Sequence, residues 1–282
     1  MISALLNHYK SLFEKTLSES IENLGPKNVL RDAIEYALKN GGKRFRPAIV
    51  YMIASALGKK NEVTEAALAI EYFHTASLIA DDLPCMDDDD ERREVPALHK
   101  AYGEATALLA SYALISAGYD LIRQGAQKLG NSDICALAVE SASYNTGIFG
   151  ATGGQYDDLY PPTTLTEPVL LDVIDKKTGT LFEISFVFGW LYGGGEISKL
   201  SQVKQAARSF GRAFQISDDF LDMEQDKEGV NFPALVGCEK ALSLLFEELT
   251  TYYAILEKLQ IATPELNALG ELVEKRIASF SL

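Results

Sequence analysis

Two aspartate-rich clusters stand far apart in this chain, Asp81-Asp82-Leu83-Pro84-Cys85-Met86-Asp87-Asp88-Asp89-Asp90 and Asp218-Asp219-Phe220-Leu221-Asp222, each following an apolar, proline-free stretch. Carboxylates this dense repel one another and are costly to bury unpaired, so they must face water, basic side chains or bound cations. Hard oxygen donors offered in this way suit Mg2+, which keeps some of its water and is usually completed by substrate phosphates. An acidic run on its own is ordinarily a solvated loop or helix end. The pair argues otherwise, because on a helix Asp218 and Asp222 share a face with Asp219 beside them. The flanking Ala213 to Ile216 and the intervening Phe220-Leu221 are apolar, which does not suit a merely solvated face. The clusters read as two halves of one metal site in a diphosphate-handling enzyme.

Basic and polar segments complement them. Gly41-Gly42-Lys43-Arg44-Phe45-Arg46-Pro47 places glycines and three cations at a loop before a helix, with proline where a first helical turn tolerates it. That makes a phosphate site, or a basic surface turn. Arg92 and Arg93 adjoin the first cluster, either as its salt-bridge partners or as further anion ligands. His74 lies seven residues before Asp81, about two helical turns, and shares its face. Lys177-Thr178-Gly179 and Gly153-Gly154-Gln155-Tyr156-Asp157-Asp158, taken alone, read as a solvated helix position and an acidic turn.

The elements that must position these residues are helices. Apolar residues recur at helical spacing, and no segment shows sustained alternation between hairpin turns. The spacing predicts helices over Ile2 to Leu24, Val29 to Lys39, Arg46 to Leu57, Val63 to Leu83, Tyr102 to Leu129, Ser132 to Gly150, Thr166 to Trp190, Ser198 to Met223, Cys238 to Leu259 and Pro264 to Ser279. Turn residues mark the breaks, at Gly25-Pro26, Gly41-Gly42, Pro84, Gly153-Gly154, Pro161-Pro162 and Gly193 to Gly195. Without a long linker or a fixed-period repeat, residues 1–282 read as a single all-α domain. Ile184 to Trp190, apolar nearly all round, belongs at its centre.

Composition bounds the rest. The chain has 282 residues, is 47% hydrophobic and carries a formal net charge of −14, which argues against nucleic acid as a partner. Cys85, Cys135 and Cys238 are odd in number and lack a C-x-x-C pair, which fits a reducing compartment better than a disulfide framework. His8, His74 and His99 are too scattered for a zinc cluster. Met1 to Thr16 shows no apolar core of a secretory signal, and Leu181 to Tyr192 is shorter than a membrane span requires. The expectation is a soluble cytoplasmic protein with no membrane span.

Taken in this order, the segments resemble the trans-isoprenyl diphosphate synthases, in particular the bacterial and plastid farnesyl and geranylgeranyl diphosphate synthases. Asp81-Asp82-Leu83-Pro84-Cys85-Met86-Asp87, followed by Asp89-Asp90-Glu91-Arg92-Arg93, is similar to the family's first aspartate-rich motif with its arginine pair, and Phe214 to Asp222 is similar to the second. The resemblance implies a bundle of about ten helices of the isoprenoid synthase type around a deep central cavity. It implies catalytic roles for Asp81, Asp82, Asp87, Asp218, Asp219 and Lys177, with Mg2+ held by Asp81, Asp82, Asp87 and Asp218. Lys43, Arg46, His74 and Arg93 would hold isopentenyl diphosphate, Arg92, Lys177, Thr178 and Gln155 would line the allylic side, and Asp222 would be a further substrate-binding residue. A homodimer is the family default.

This chain departs from the pattern in places. Gly229 and Asn231 stand near the positions of a Lys-x-Thr element that follows the second motif in the family, so allylic binding is expected to be the weak link unless Lys227 substitutes. Ala80 replaces a histidine often found before the first motif, and Ser111-Tyr112 replaces Gly-Asp. A terpene cyclase would not need the isopentenyl site, and a non-catalytic regulatory subunit commonly lacks one or both motifs. Chain length is read from Ala76 and Ser77, five and four residues before Asp81. In the family a bulky aromatic there stops growth at farnesyl. Both are small here, so the tail is expected to pass and be stopped deeper, by Tyr112 or by Phe182, Phe186 and Trp190, giving geranylgeranyl diphosphate with farnesyl diphosphate second.

Overall fold

The computed structural model describes residues 2–161, 164–223 and 231–278. Its helices are α1 (Ile2–Ile21), α2 (Val29–Lys39), α3 (Phe45–Ala56), α4 (Thr64–Asp81), α5 (Leu98–Tyr102), α6 (Glu104–Lys128), α7 (Ser132–Thr146), α8 (Ala151–Leu159), α9 (Glu167–Ile174), α10 (Thr180–Tyr192), α11 (Leu200–Asp222), α12 (Phe232–Val236), α13 (Cys238–Leu259) and α14 (Pro264–Ile277). The sheet content of the described residues is a small antiparallel ribbon, β1 (Glu91–Arg92) with β2 (Val95–Pro96), which carries the arginine pair beyond the first aspartate cluster.

The bundle is organised around α10. Every residue of α10 except Glu183 is buried, as its all-round apolar sequence requires. Phe182, Phe186 and Trp190, at i, i+4 spacing, join the core built with α3, α11, α13 and α14. Ile184, Val187, Phe188 and Leu191 join the core built with α4, α6 and α7. Against it lies α4, most of which is buried and the rest half-buried, so the helix that ends at Asp81 is fixed on several sides. α6 is long and apolar enough to cross a membrane by length and composition. In this fold it packs on α4 through Ala107, Ala110, Ser111, Leu114 and Ile122 and leaves Leu108, Leu109 and Tyr112 exposed.

Two departures from the expected elements bear on the site. The helix beginning at Ser132 stops at Thr146, and the Gly153-Gly154-Gln155 segment forms helix α8 instead of a turn. Gly154 permits α8 to press on its neighbour, since a Cβ there would come within 2.6 Å of the Lys177 amide nitrogen. That neighbour is the second departure, a π-helical turn at Asp175–Gly179 that interrupts the expected continuous helix between α9 and α10. Such bulges recur at functional sites because the extra residue per turn re-aims side chains.

Arg44 joins the N-terminal helices to the core. Its residue is 3% exposed, and it donates from Nε to Glu14 Oε1 at 2.7 Å, from Nη1 to Glu71 Oε1 at 2.5 Å and from Nη2 to the Leu38 carbonyl at 2.5 Å. Of the three cations in the glycine loop it is therefore the structural one. Arg44→Ala should lower the unfolding free energy by about 3–5 kcal/mol in urea denaturation, because it strands a buried Glu71 carboxylate. Lys43→Ala, at an exposed position, should stay within about 0.5 kcal/mol of wild type.

Candidate active site

The first cluster divides its work. Asp81, at the end of α4, lines a cavity of about 370 Å³ together with Ala76, Ser77, Gln155 and Lys177. Burial pushes its carboxyl up to about 7, with Asp87 and Asp82 adding to the effect and Lys177 opposing it. Asp87 is brought back beside it by a bond from its amide to the Asp81 carbonyl, 2.9 Å, and accepts from Gln155 Nε2 at 3.2 Å. Asp82, expected among the metal ligands, is engaged by an arginine in this structure. Only 3% exposed, it borders a separate cleft with Tyr36 and Asn40, and Arg92 donates to its Oδ1 from Nε at 2.9 Å and also from Nη2. Arg92, expected on the allylic side, is thereby held by Asp82 and by Asp89, 2.9 Å away.

The second cluster divides in the same way. Asp218 lines a larger cavity, about 950 Å³, and accepts from Arg276 Nη1 at 2.5 Å. Burial pushes the Asp218 carboxyl up to about 6, against the attraction of Arg276 and Lys43. Asp219, expected to be catalytic, is 7% exposed and holds the start of α12. It accepts from Gln215 Nε2 at 2.8 Å and from the Phe232 amide at 3.0 Å, while its carbonyl accepts from Asn231 Nδ2 at 2.7 Å. Asp222, one turn beyond Asp218, is exposed. Asn231 caps α12 by accepting from the Ala234 amide, whereas Lys227 and Gly229 lie outside the described residues.

The larger cavity gathers the basic residues that the sequence singled out. Lys43, Arg46, His74 and Arg93 all line it, with Lys10 of α1 and Arg276 of α14. Arg46 Nη1 lies 3.2 Å from His74 Nε2, and its guanidinium sits 5.0 Å from the Phe182 ring centroid. A guanidinium can only donate, so His74 Nε2 accepts and the imidazole proton sits on Nδ1. Burial and the surrounding arginines hold His74 well below its ordinary pKa, and burial lowers Arg46 to about 10. Arg46 Nε and His74 Nδ1 are buried without a hydrogen-bond partner among the described residues, as donors awaiting an anion would be. Arg93 donates to the Gly41 carbonyl, and its guanidinium fills the space beside Gly42, where a Cβ would come within 2.5 Å of Cζ.

The π turn supplies the remaining residues. Lys177 faces the smaller cavity and donates to Asp158 Oδ2 of α8 at 2.5 Å. Thr178 Oγ1 donates to Gln215 Oε1 at 2.6 Å, which ties it to the second cluster. Asp175 braces the turn from α11 through paired bonds from Arg212, both 2.7 Å. Asp158, Gln215, Lys10 and Arg276 had no site role assigned from sequence. Asp158 carried a signal, since on a helix it lies one turn from Gln155, but the paired glycines read as a turn.

Ala76 and Ser77 line the smaller cavity with Phe73, Ser111, Ile115 and Leu181. Tyr112 does not. It is 60% exposed, because one residue rotates a helix by about 100° and turns Ser111 inward in its place. Phe186 and Trp190 lie in the core, and Phe182 borders the basic cavity. The two cavities share walls, with Phe73 and Leu181 facing one and their neighbours His74 and Phe182 the other.

Among the described residues no three-donor cluster forms a ready metal cage. Two incompletely neutralised carboxylates with raised pKa, Asp81 and Asp218, nevertheless suit a Mg2+ site whose remaining ligands are water and phosphate oxygens.

Residues 27–235 match the family described as polyprenyl synthetase. The farnesyl diphosphate synthase of Geobacillus stearothermophilus is 37% identical over 234 residues, covering 82% of this chain and 79% of that protein. Geranylgeranyl pyrophosphate synthase 4 of Arabidopsis thaliana is 33% identical over 245 residues, 80% of this chain and 65% of the plant protein. Among solved structures, a geranyltransferase from Legionella pneumophila superposes with a TM-score of 0.85 at 28% identity, covering 100% of this chain and 99% of that one. A geranyltranstransferase from Thermotoga maritima gives 0.80 at 29%, covering 96% and 99%.

The raised carboxyls carry a pH signature. Without metal, the folded protein keeps protons on Asp81 and Asp218 that the unfolded chain releases at about pH 4, so their contribution to stability falls as pH rises to about 7. Asp81→Asn and Asp218→Asn should therefore gain stability relative to wild type across that window in metal-free urea denaturation. A difference that stays flat with pH would contradict the burial argument.

Proposed function

The chain belongs to the polyprenyl synthetase family and is a prenyltransferase, and from that premise we propose that it condenses isopentenyl diphosphate with an allylic diphosphate in the presence of Mg2+. The observation that carries this reading is the division of one site into two adjoining cavities. One has a carboxylate and a lysine at its polar end and apolar walls, and the other is ringed by cations.

Asp81, Asp87 and Asp218 would hold the metal, whose contribution when bound is neutralisation of the allylic diphosphate as a leaving group. Lys177, oriented by Asp158, adds positive charge at the same end. Asp82 and Asp219 are positioning residues, the first for Arg92 and the second for Gln215 and the start of α12. Lys43, Arg46 and Arg93 bind the diphosphate of the isopentenyl substrate, with the unpartnered N–H groups of Arg46 and neutral His74 as donors. Ionisation of the allylic C–O bond leaves a delocalised cation that the isopentenyl double bond attacks. The proton then lost passes to the departing diphosphate. Phe73, Ile115 and Leu181 keep water from the cation.

Small side chains at Ala76, Ser77 and Ser111 leave the smaller cavity open along α4, which supports geranylgeranyl diphosphate as the main product, with farnesyl diphosphate second. The exposed apolar residues of α6 and α7, among them Leu108, Leu109, Tyr112, Val139 and Tyr144, support a homodimer.

The test is incubation with Mg2+, isopentenyl diphosphate and each allylic primer, followed by chromatography of the dephosphorylated products. The expected main product is geranylgeraniol. Asp81→Ala and Asp218→Ala should each lower turnover by at least about a hundredfold with thermal stability unchanged or raised. Ala76→Tyr should shorten the product by filling space that a further isoprene unit needs. The absence of any condensation product from wild type, or near-native turnover in either aspartate variant, would overturn the reading.

A further inference from the structure

The hairpin that carries the arginine pair cannot hold its own shape. Its strands, Glu91–Arg92 and Val95–Pro96, are so short that the ribbon would not be stable in isolation. Its loop is Arg93-Glu94, with φ of 58° and 67°. Positive φ at both central residues is the backbone of a type I′ turn, which glycine and asparagine adopt readily and longer side chains resist. The restraint comes from α2. Asn40 Nδ2 donates to the Arg92 carbonyl at 3.1 Å, and Tyr36 Oη donates to the Pro96 carbonyl at 2.8 Å. The two residues are one helical turn apart, so a single face of α2 grips both strands. Just beyond them, the Gly41 carbonyl accepts from the Arg93 guanidinium itself. Arg92 has carboxylate partners of its own in Asp82 and Asp89, whereas the side-chain hydrogen bond of Arg93 among the described residues is to this end of α2.

We propose that Tyr36 and Asn40 are positioning residues for the condensation, which hold a strained hairpin in the conformation that aims Arg93 into the basic cavity. The inference rests on Arg93 as a ligand of isopentenyl diphosphate in the proposed function. Tyr36 lines the small cleft behind Asp82 and neither substrate cavity, so it reaches the substrate only through the hairpin. Asn40 stands at the junction and lines both that cleft and the basic cavity. Without these two anchors the turn relaxes toward the backbone that arginine and glutamate prefer, and Arg93 swings away from the cavity. Arg92 stays on its two carboxylates, so the isopentenyl side bears the loss.

The experiment measures steady-state constants for both substrates in Tyr36→Phe, which removes one oxygen and keeps the ring that packs edge-on against Tyr102, 5.6 Å between centroids. The KM for isopentenyl diphosphate should rise about fivefold, with kcat and the allylic KM within about twofold of wild type. Glu94→Gly, which frees the second loop position, should by itself stay near wild type and, added to Tyr36→Phe, should return that KM to within about twofold. Asn40→Ala should raise the same KM and be rescued in the same way. An unchanged KM in either variant, a change of the same size in kcat or in the allylic KM, or a rise that Glu94→Gly does not reverse would overturn the proposal. Arg93→Ala tests the underlying assignment separately and should raise the KM for isopentenyl diphosphate at least about tenfold. A wild-type value there would remove Arg93 from the substrate site, and the proposal with it, whereas a raised value beside an unaltered Tyr36→Phe would overturn the role of α2 alone.

Discussion

Half-burying the Asp81 and Asp218 carboxyls near the ends of α4 and α11 is unfavourable for their charged forms, and the surrounding protein offsets only part of that cost. The remaining electrostatic demand is what a cation and a phosphorylated substrate can satisfy. Neighbouring charges are paired off in ways that leave it standing. Asp82 is held by Arg92, Asp219 by Gln215 and the Phe232 amide, and Glu71 by Arg44. The braces at Asp82 and Asp219 each fix a loop or helix end next to a carboxylate that the protein leaves incompletely compensated, so rigidity and reactivity come from adjacent residues of the same type.

Much of this was legible in sequence, down to a limit set by helix rotation. The acidic clusters, the glycine loop, the all-α fold and the central position of α10 follow from composition and periodicity. What periodicity leaves open is which member of an adjacent pair turns inward. Asp81 faces a cavity and Asp82 an arginine, Asp218 faces a cavity and Asp219 the start of α12, and Ser111 lines the smaller cavity while Tyr112 is exposed. A rotation of about 100° per residue separates these outcomes, and it is fixed by packing between helices rather than by either residue's own preference.

The other departures share a cause in close backbone approach. Paired glycines at 153 and 154 were expected to break a helix. They instead let α8 lie against the π turn, where Asp158 meets Lys177. Long-range pairs such as Arg276 with Asp218, 58 residues apart, leave no local pattern, and only the packing of α14 beside α11 brings them together.

The most direct test of the account is a crystal structure with Mn2+ and inorganic diphosphate, in which anomalous scattering locates the metal independently of the carboxylates. The account places Mn2+ against Asp81, Asp87 and Asp218, each sharing it with diphosphate oxygens, and leaves Asp82 on Arg92 and Asp219 on Gln215. Metal bound directly by Asp82 or Asp219, or diphosphate seated among Lys43, Arg46 and Arg93 with no metal at either cluster, would contradict it.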